Sequence, residues 1–213
     1  EPNKYLTINL LEKDGSHGQV NAKASAGGIY LEEKAGNLYL NSVSATADVI
    51  LKAAKSIFNS STDNDMATVS ATKASLIAGE ALGSPDNYLL LKVQFLEAEA
   101  QDGGIYLQND GPLTIGDVSG DLAGLNAQGS IYLIVNKGIT IKEDIIALNE
   151  IVIRVPDTVT SGDDILVTGG TSLESQNAYI LLQAGDNLTL ESGSLLKVVE
   201  KIIKGLEIPL ANV

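Results

Sequence analysis

Gly103-Gly104-Ile105-Tyr106-Leu107 decides the fold. The same five residues stand earlier as Gly27-Gly28-Ile29-Tyr30-Leu31, and a variant follows as Gly129-Ser130-Ile131-Tyr132-Leu133. After the first copy come Asn37-Leu38-Tyr39-Leu40 and Val43-Ser44; after the second come Leu113-Thr114-Ile115 and Val118-Ser119. Each glycine-led apolar run is therefore followed by a second run at a similar offset. Self-similarity of this kind is the signature of a solenoid, in which each repeat buries its apolar face only by stacking on its neighbours.

Two interleaved strand series can be read outward from these copies. One begins near Gly28, Asp48, Thr68, Tyr88, Gly104, Ser130, Glu150 and Ala178; the other near Asn37, Ser56, Ser75, Gln94, Pro112, Gly138, Asp163 and Asp186. Neighbouring starts are mostly about 20 to 25 residues apart, within the solenoid range. Within a strand the pattern alternates. Ile151, Ile153 and Val155 share one face, with Val152 and Arg154 on the other; Leu188 and Leu190 point in and Thr189 points out. Period two with one apolar face is a half-buried strand. Turn residues fall between the runs, as in Gly162-Asp163 and Gly185-Asp186-Asn187. The expected fold is all-β: a right-handed parallel β-helix of about eight to ten coils, occupying residues 1–194. Tyr5–Leu10 reads as its opening strand.

Residues 195–213 read differently, as a cap or tail. Leu195, Leu196, Val198, Val199, Ile202, Ile203 and Leu206 fall on one helical face, with Lys197, Glu200, Lys201 and Lys204 opposite, and Gly205 as a stop. An amphipathic helix over 195–205 is expected to cover the open end of the stack; the rival is one more irregular coil. The wide coils near 108–129 and 156–177 are expected to carry insertions and to be the places to look for binding.

Composition narrows the function. The 213 residues include 21 glycines but only two Phe, seven Tyr and no Trp, which suits many short uniform strands. The formal net charge is −13, with Lys and Arg totalling 14, so neither a nucleic-acid interface nor attraction to an anionic membrane is expected. Without cysteine there is no disulfide framework and no thiol nucleophile. No apolar stretch is long enough for a transmembrane helix, so no membrane insertion is expected. Glu1-Pro2-Asn3-Lys4 does not begin a signal peptide, and the chain is read as a segment of something longer.

His17, the single histidine, sits in Asp14-Gly15-Ser16-His17-Gly18 and reads as an exposed turn rather than a general base. Arg154, the one arginine, is the obvious candidate base for a polysaccharide lyase, but on an outward strand face it reads as a countercharge to the acidic surface. Asp163-Asp164 and Asp63-Asn64-Asp65 are acidic turns that read as structural, with calcium the alternative ligand. Tyr30, Tyr39, Tyr106, Tyr132 and Tyr179 occupy alternate strand positions, so some should stack outward as a ladder. No catalytic, cofactor or metal residue is assigned from the sequence.

The run Leu96–Asn109, the preceding Ser75–Gly79 with its Gly83–Asn87 turn, and Ser161–Val167 leading to Leu182–Leu190 are similar to repeats of filamentous-haemagglutinin-like giant bacterial surface proteins. The resemblance covers roughly residues 19–196. It implies a right-handed parallel β-helix in a secreted or cell-surface adhesin or filament, without shared catalytic residues. The expected function is a structural or adhesive rod, non-enzymatic and extracellular. Its partner would be a host or neighbouring-cell surface protein or glycan, or another copy of itself. The alternative is a carbohydrate-binding or polysaccharide-degrading protein on the same scaffold.

Overall fold

The structure is a computed structural model that describes residues 18–63, 66–118, 120 and 122–199, and the backbone path of 6–8. Every regular element in this range is a strand. In chain order these are β1 (Leu6–Ile8), β2 (Gln19–Ala24), β3 (Ile29–Glu33), β4 (Leu38–Ala45), β5 (Asp48–Ala53), β6 (Ile57–Asn59), β7 (Val69–Ser70), β8 (Lys73–Ala78), β9 (Leu89–Lys92), β10 (Phe95–Ala100) and β11 (Ile105–Asn109). There follow β12 (Leu113–Ile115), β13 (Leu125–Ala127), β14 (Ile131–Val135), β15 (Ile139–Ile141), β16 (Ile145–Ala147), β17 (Ile151–Arg154), β18 (Ile165–Val167), β19 (Ser172–Ser175), β20 (Ile180–Gln183), β21 (Leu188–Leu190) and β22 (Leu195–Val198). All pairings between them are parallel. The chain is a parallel β-helix. The second sheet runs β2-β4-β7-β9-β11-β14-β17-β20, eight strands that give one per coil.

Period-two strands stacked in register produce columns of like residues. One inward column runs Leu38, Ile57, Leu82, Ile105, Ile131, Ile151 and Ile180, and its first six members are fully buried. Another runs Leu51, Leu76, Ala98, Leu125, Ile145 and Leu173. A third is made almost wholly of alanine: Ala53, Ala78, Ala100, Ala127, Ala147, then Ser175. These small residues end their strands, where the chain turns and two walls converge. Each fully buried Leu or Ile contributes roughly 1.5–3 kcal/mol, so the stacked interior dominates stability.

The first sheet changes character at β10. On one side β10 pairs with β8 along its whole length. On the other, Phe95 and Leu96 pair with β12 while Ala98–Ala100 pair with β13. From there onward each coil has three walls, as in β14, β15 and β16.

Several sequence expectations need correction. The two strand series cross: the strands at Ile29 and Asp48 belong to the first sheet, whereas those at Val69, Leu89, Ile105 and Ile131 belong to the second. The Gly27 copy of the motif is therefore not equivalent to the Gly103 copy. The Gly103 and Gly129 copies are equivalent, with Ile105, Tyr106 and Leu107 in register with Ile131, Tyr132 and Leu133. The insertions are narrower than expected, spanning 116–124 and 155–164, because Leu113–Ile115, Leu125–Ala127 and Ile165–Val167 are strands. The helix expected over 195–205 is overturned at its start: Leu195–Val198 forms β22, stacked on β19. Val199 continues from it with its amide bonded to the Ser175 carbonyl, and residues 200–205 lie outside the described residues.

Candidate functional site

The outer face of the second sheet is ordered in columns. Tyr106, Tyr132, Val152 and Leu181 form one, and Gln108, Ile134, Arg154 and Gln183 the next. Beyond them Ser44, Ser70 and Lys92 make a polar column. Over this polar side Met66 and Ala67 close a shallow groove of about 540 Å³ with Ser42, Ser44, Ser70, Lys92, Gln108 and Asp110. Met66 is 61% exposed. The Lys92–Asp110 pair, 3.0 Å apart, is exposed on both sides and contributes little to stability.

The expected tyrosine ladder exists in part. Tyr106 and Tyr132 stack at 5.7 Å with 15° between rings, and Tyr88 meets Tyr106 edge-on at 6.2 Å. Tyr39 packs against Phe58 instead, at 5.6 Å. Tyr30 lies in the first sheet, and Tyr179 is exposed beside the ladder, within hydrogen-bonding reach of the Tyr132 hydroxyl. Tyr132 donates a hydrogen bond to Glu150 at 2.8 Å; that bond, then burial, raises its phenol. Burial raises Tyr88 and Tyr106. Burial also opposes ionisation of Glu150, but the hydrogen bonds it accepts, from Tyr132 first, outweigh this and lower its carboxyl. Tyr106 and Tyr132 therefore spend their facing ring surfaces on each other, as a packing ladder does.

Arg154 points outward, as expected, and lines a nook with Tyr88, Tyr132, Ile134 and Val152. Its surroundings there are aromatic and aliphatic. Val152 is 3% exposed although it sits on the outer face.

The 155–164 insertion is tied down by aspartates. The fully buried Asp163 accepts hydrogen bonds from the Thr158 amide at 2.7 Å and the Thr158 hydroxyl at 2.6 Å. These bonds, with Lys137 at 3.8 Å, hold its carboxyl below the usual range. Asp186 accepts from the Gly162 and Asp163 amides, and Asp164 accepts from both nitrogens of Asn187. The Asp163-Asp164 turn is thus engaged structurally: Asp163 ties the insertion to itself through Thr158, and Asp164 and Asp186 hold one coil to the next. Among the described residues no three acidic or histidine side chains gather to hold a metal ion. Asn64, Asp65 and His17 lie outside the described residues.

The 116–124 insertion brings together two residues that the sequence reading did not single out. The chain leaves the sheet at Gly116, whose amide bonds the Leu96 carbonyl, and returns at Gly124, whose carbonyl accepts from Ala98. Glu97 lies between those two points, on an outward position of β10, yet is only 2% exposed. It accepts from the Val118 amide at 3.0 Å. Glu143 accepts from the Gly124 amide at 2.6 Å and lies within hydrogen-bonding reach of Glu97. Burial, and then Glu143, push Glu97 up to about 7 against the opposing Val118 bond. Nothing in the Ala98-Glu99-Ala100 alternation marks Glu97 as buried, because an insertion far along the chain covers it. The bracketing Gly116 and Gly124 were the one legible signal.

No family model, curated protein or solved structure matches the chain.

Proposed function

We propose that this chain is a structural and adhesive segment of a bacterial extracellular or cell-surface protein, of the filamentous-haemagglutinin-like kind. The β-helix extends a non-enzymatic rod and presents its lateral face to a surface protein or glycan, or to another copy. The observation that carries this reading is the division of labour in the stack. Inward columns run in register from coil to coil, while variation is confined to insertions on the outside. Solenoids of this kind build long surfaces whose outer residues change without cost to the interior. The alternative, a carbohydrate-binding or polysaccharide-degrading β-helix, draws on the tyrosine ladder and Arg154. It is weakened because the stacked rings pack on each other and no carboxylate among the described residues lines the nook that holds Arg154.

The test is an adhesion assay. Beads coated with the purified chain are mixed with cultured epithelial cells, with bacteria, and with one another. Saturable adhesion, blocked by soluble chain, is expected in at least one pairing. Release of unsaturated or reducing ends from polysaccharides would establish the alternative, and absence of adhesion in every pairing would remove the adhesive role.

A further inference from the structure

We propose that Glu97 and Glu143 share a single proton across the gap opened by the 116–124 insertion, forming a buried acid pair that joins the coils on either side. Glu97 stands on β10; Glu143 stands in the turn between β15 and β16, two coils further on. Between them the intervening coil leaves the sheet, from Gly116 to Gly124. Gly116 permits the approach, since a Cβ there would come within 2.8 Å of the Glu143 Cγ and Cδ. One oxygen of each carboxyl is already committed, to the Val118 and Gly124 amides respectively. The other oxygen of Glu97 is buried without a donor. Two carboxyl groups within hydrogen-bonding reach satisfy each other only if one keeps its proton.

The surrounding cations do not relieve this need. Lys73 gives its ammonium to the Asp117 carbonyl at 2.7 Å and lies over the Phe95 ring. Lys142 pairs with the Asp117 carboxylate at 2.6 Å. Lys73 is the weakest influence on Glu97, behind burial, the Val118 amide and Glu143. Losing the shared proton takes the pair from one negative charge to two in a covered site. The coil junction is therefore held best on the acid side of neutrality and loosens as the pair ionises.

Carboxyl-carbon NMR of the full chain labelled at glutamate tests it directly. One glutamate is expected to titrate near pH 7, against about 4.3 for an ordinary one. Glu97→Gln should abolish that late titration, and Glu143→Gln should move it down by at least about one pH unit, because a Gln amide donates to Glu97 where a second carboxylate cannot. Protection of the Val118 and Gly124 amides should fall about thirtyfold between roughly pH 5.5 and 8.5 in the parent and stay level in Glu97→Gln. Should Glu97→Gln fail to fold, the parent and Glu143→Gln titrations still decide the matter. Three results would overturn the proposal: no glutamate midpoint above about 5.5; a late titration that Glu143→Gln leaves unmoved, which would mean burial alone; or its disappearance on adding calcium, which would put a cation in place of the proton.

Discussion

Asn109 offers a sharp trial of what holds the stack together. It sits in an inward column between Leu91 and Val135 and is fully buried. Judged by column alone, Asn109→Val should stabilise the chain, since it continues an aliphatic ladder and buries roughly 1–2 kcal/mol more of apolar side chain. The hydrogen bonds point the other way. Asn109 accepts from the Val93 amide at 3.0 Å and donates to the Val93 carbonyl at 3.2 Å and the Gly111 carbonyl at 3.1 Å. Val93 is itself buried, at 3% exposure, so water cannot replace the lost partner at either of its backbone groups. An orphaned buried group costs about 1–3 kcal/mol; Gly111 is partly exposed and counts for less. The loss outweighs the gain, and Asn109→Val should destabilise by about 2–3 kcal/mol. For a chain of this length that lowers the midpoint by roughly 5–10 °C. Thermal and urea unfolding followed by far-ultraviolet circular dichroism measures it. A variant as stable as the parent would mean that apolar stacking, not closure of the coil corner, governs this position.

Three further outcomes are expected. Gly124→Ala should cost at least twice as much as Gly170→Ala, itself about 1–2 kcal/mol for a left-handed alanine. Both glycines have positive φ, but only at Gly124 does a Cβ run into the Asp144 carbonyl, and paired urea titrations compare them. Asp163→Asn should lower stability at neutral pH. The lowered Asp163 carboxyl contributes above its unfolded value of 3.8 and is lost as pH falls through its folded value, so parent and variant curves should converge in strong acid. A double-mutant cycle on Tyr106 and Tyr132, each changed to Ala, should return a coupling of about 0.5–1.5 kcal/mol; zero coupling would deny the stack seen at 5.7 Å.

What the sequence made legible was local. Ile131-Tyr132-Leu133 alternates as a strand must, and the structure pairs it with Ile105-Tyr106-Leu107 residue for residue. Alternation says that a segment is a strand, however, and not which wall it joins. Ile29-Tyr30-Leu31 carries the same letters on a different sheet. The third wall went unseen because Leu125–Ala127 and Ile145–Ala147 end on alanine, which marks an inward face less sharply than the second large aliphatic of Leu113-Thr114-Ile115. Leu195, Leu196, Val198 and Val199 are spaced as a helical stripe, and it is stacking of Leu195–Val198 on Ser172–Ser175 that overrides that local pattern. Glu97 was illegible for a deeper reason. Its burial depends on an insertion in the next coil, which no local pattern encodes.

The insertions show why such a stack tolerates change outside while its interior stays regular. Ile115 pairs with Leu96 before the 116–124 excursion, and Leu125 pairs with Ala98 after it, so the columns resume as if the excursion were absent. Doubling a loop costs only about 0.6 kcal/mol in closure entropy, whereas emptying one buried leucine position costs about 2–5 kcal/mol. Selection can therefore lengthen a turn far more readily than alter a column. Each excursion still needs ties for its backbone, and the chain supplies them as carboxylates: Glu97 and Glu143 at one insertion, Asp163 and Asp186 at the other. Acidity in this chain is thus partly structural. The same compensation operates on the outer face at Gly83. The glycine adjoins Leu82, the residue paired with Ile105, and a side chain there would strike the Tyr106 carbonyl. The aromatic ladder loses a ring at that coil, and Tyr88, arriving from the next turn, supplies one edge-on.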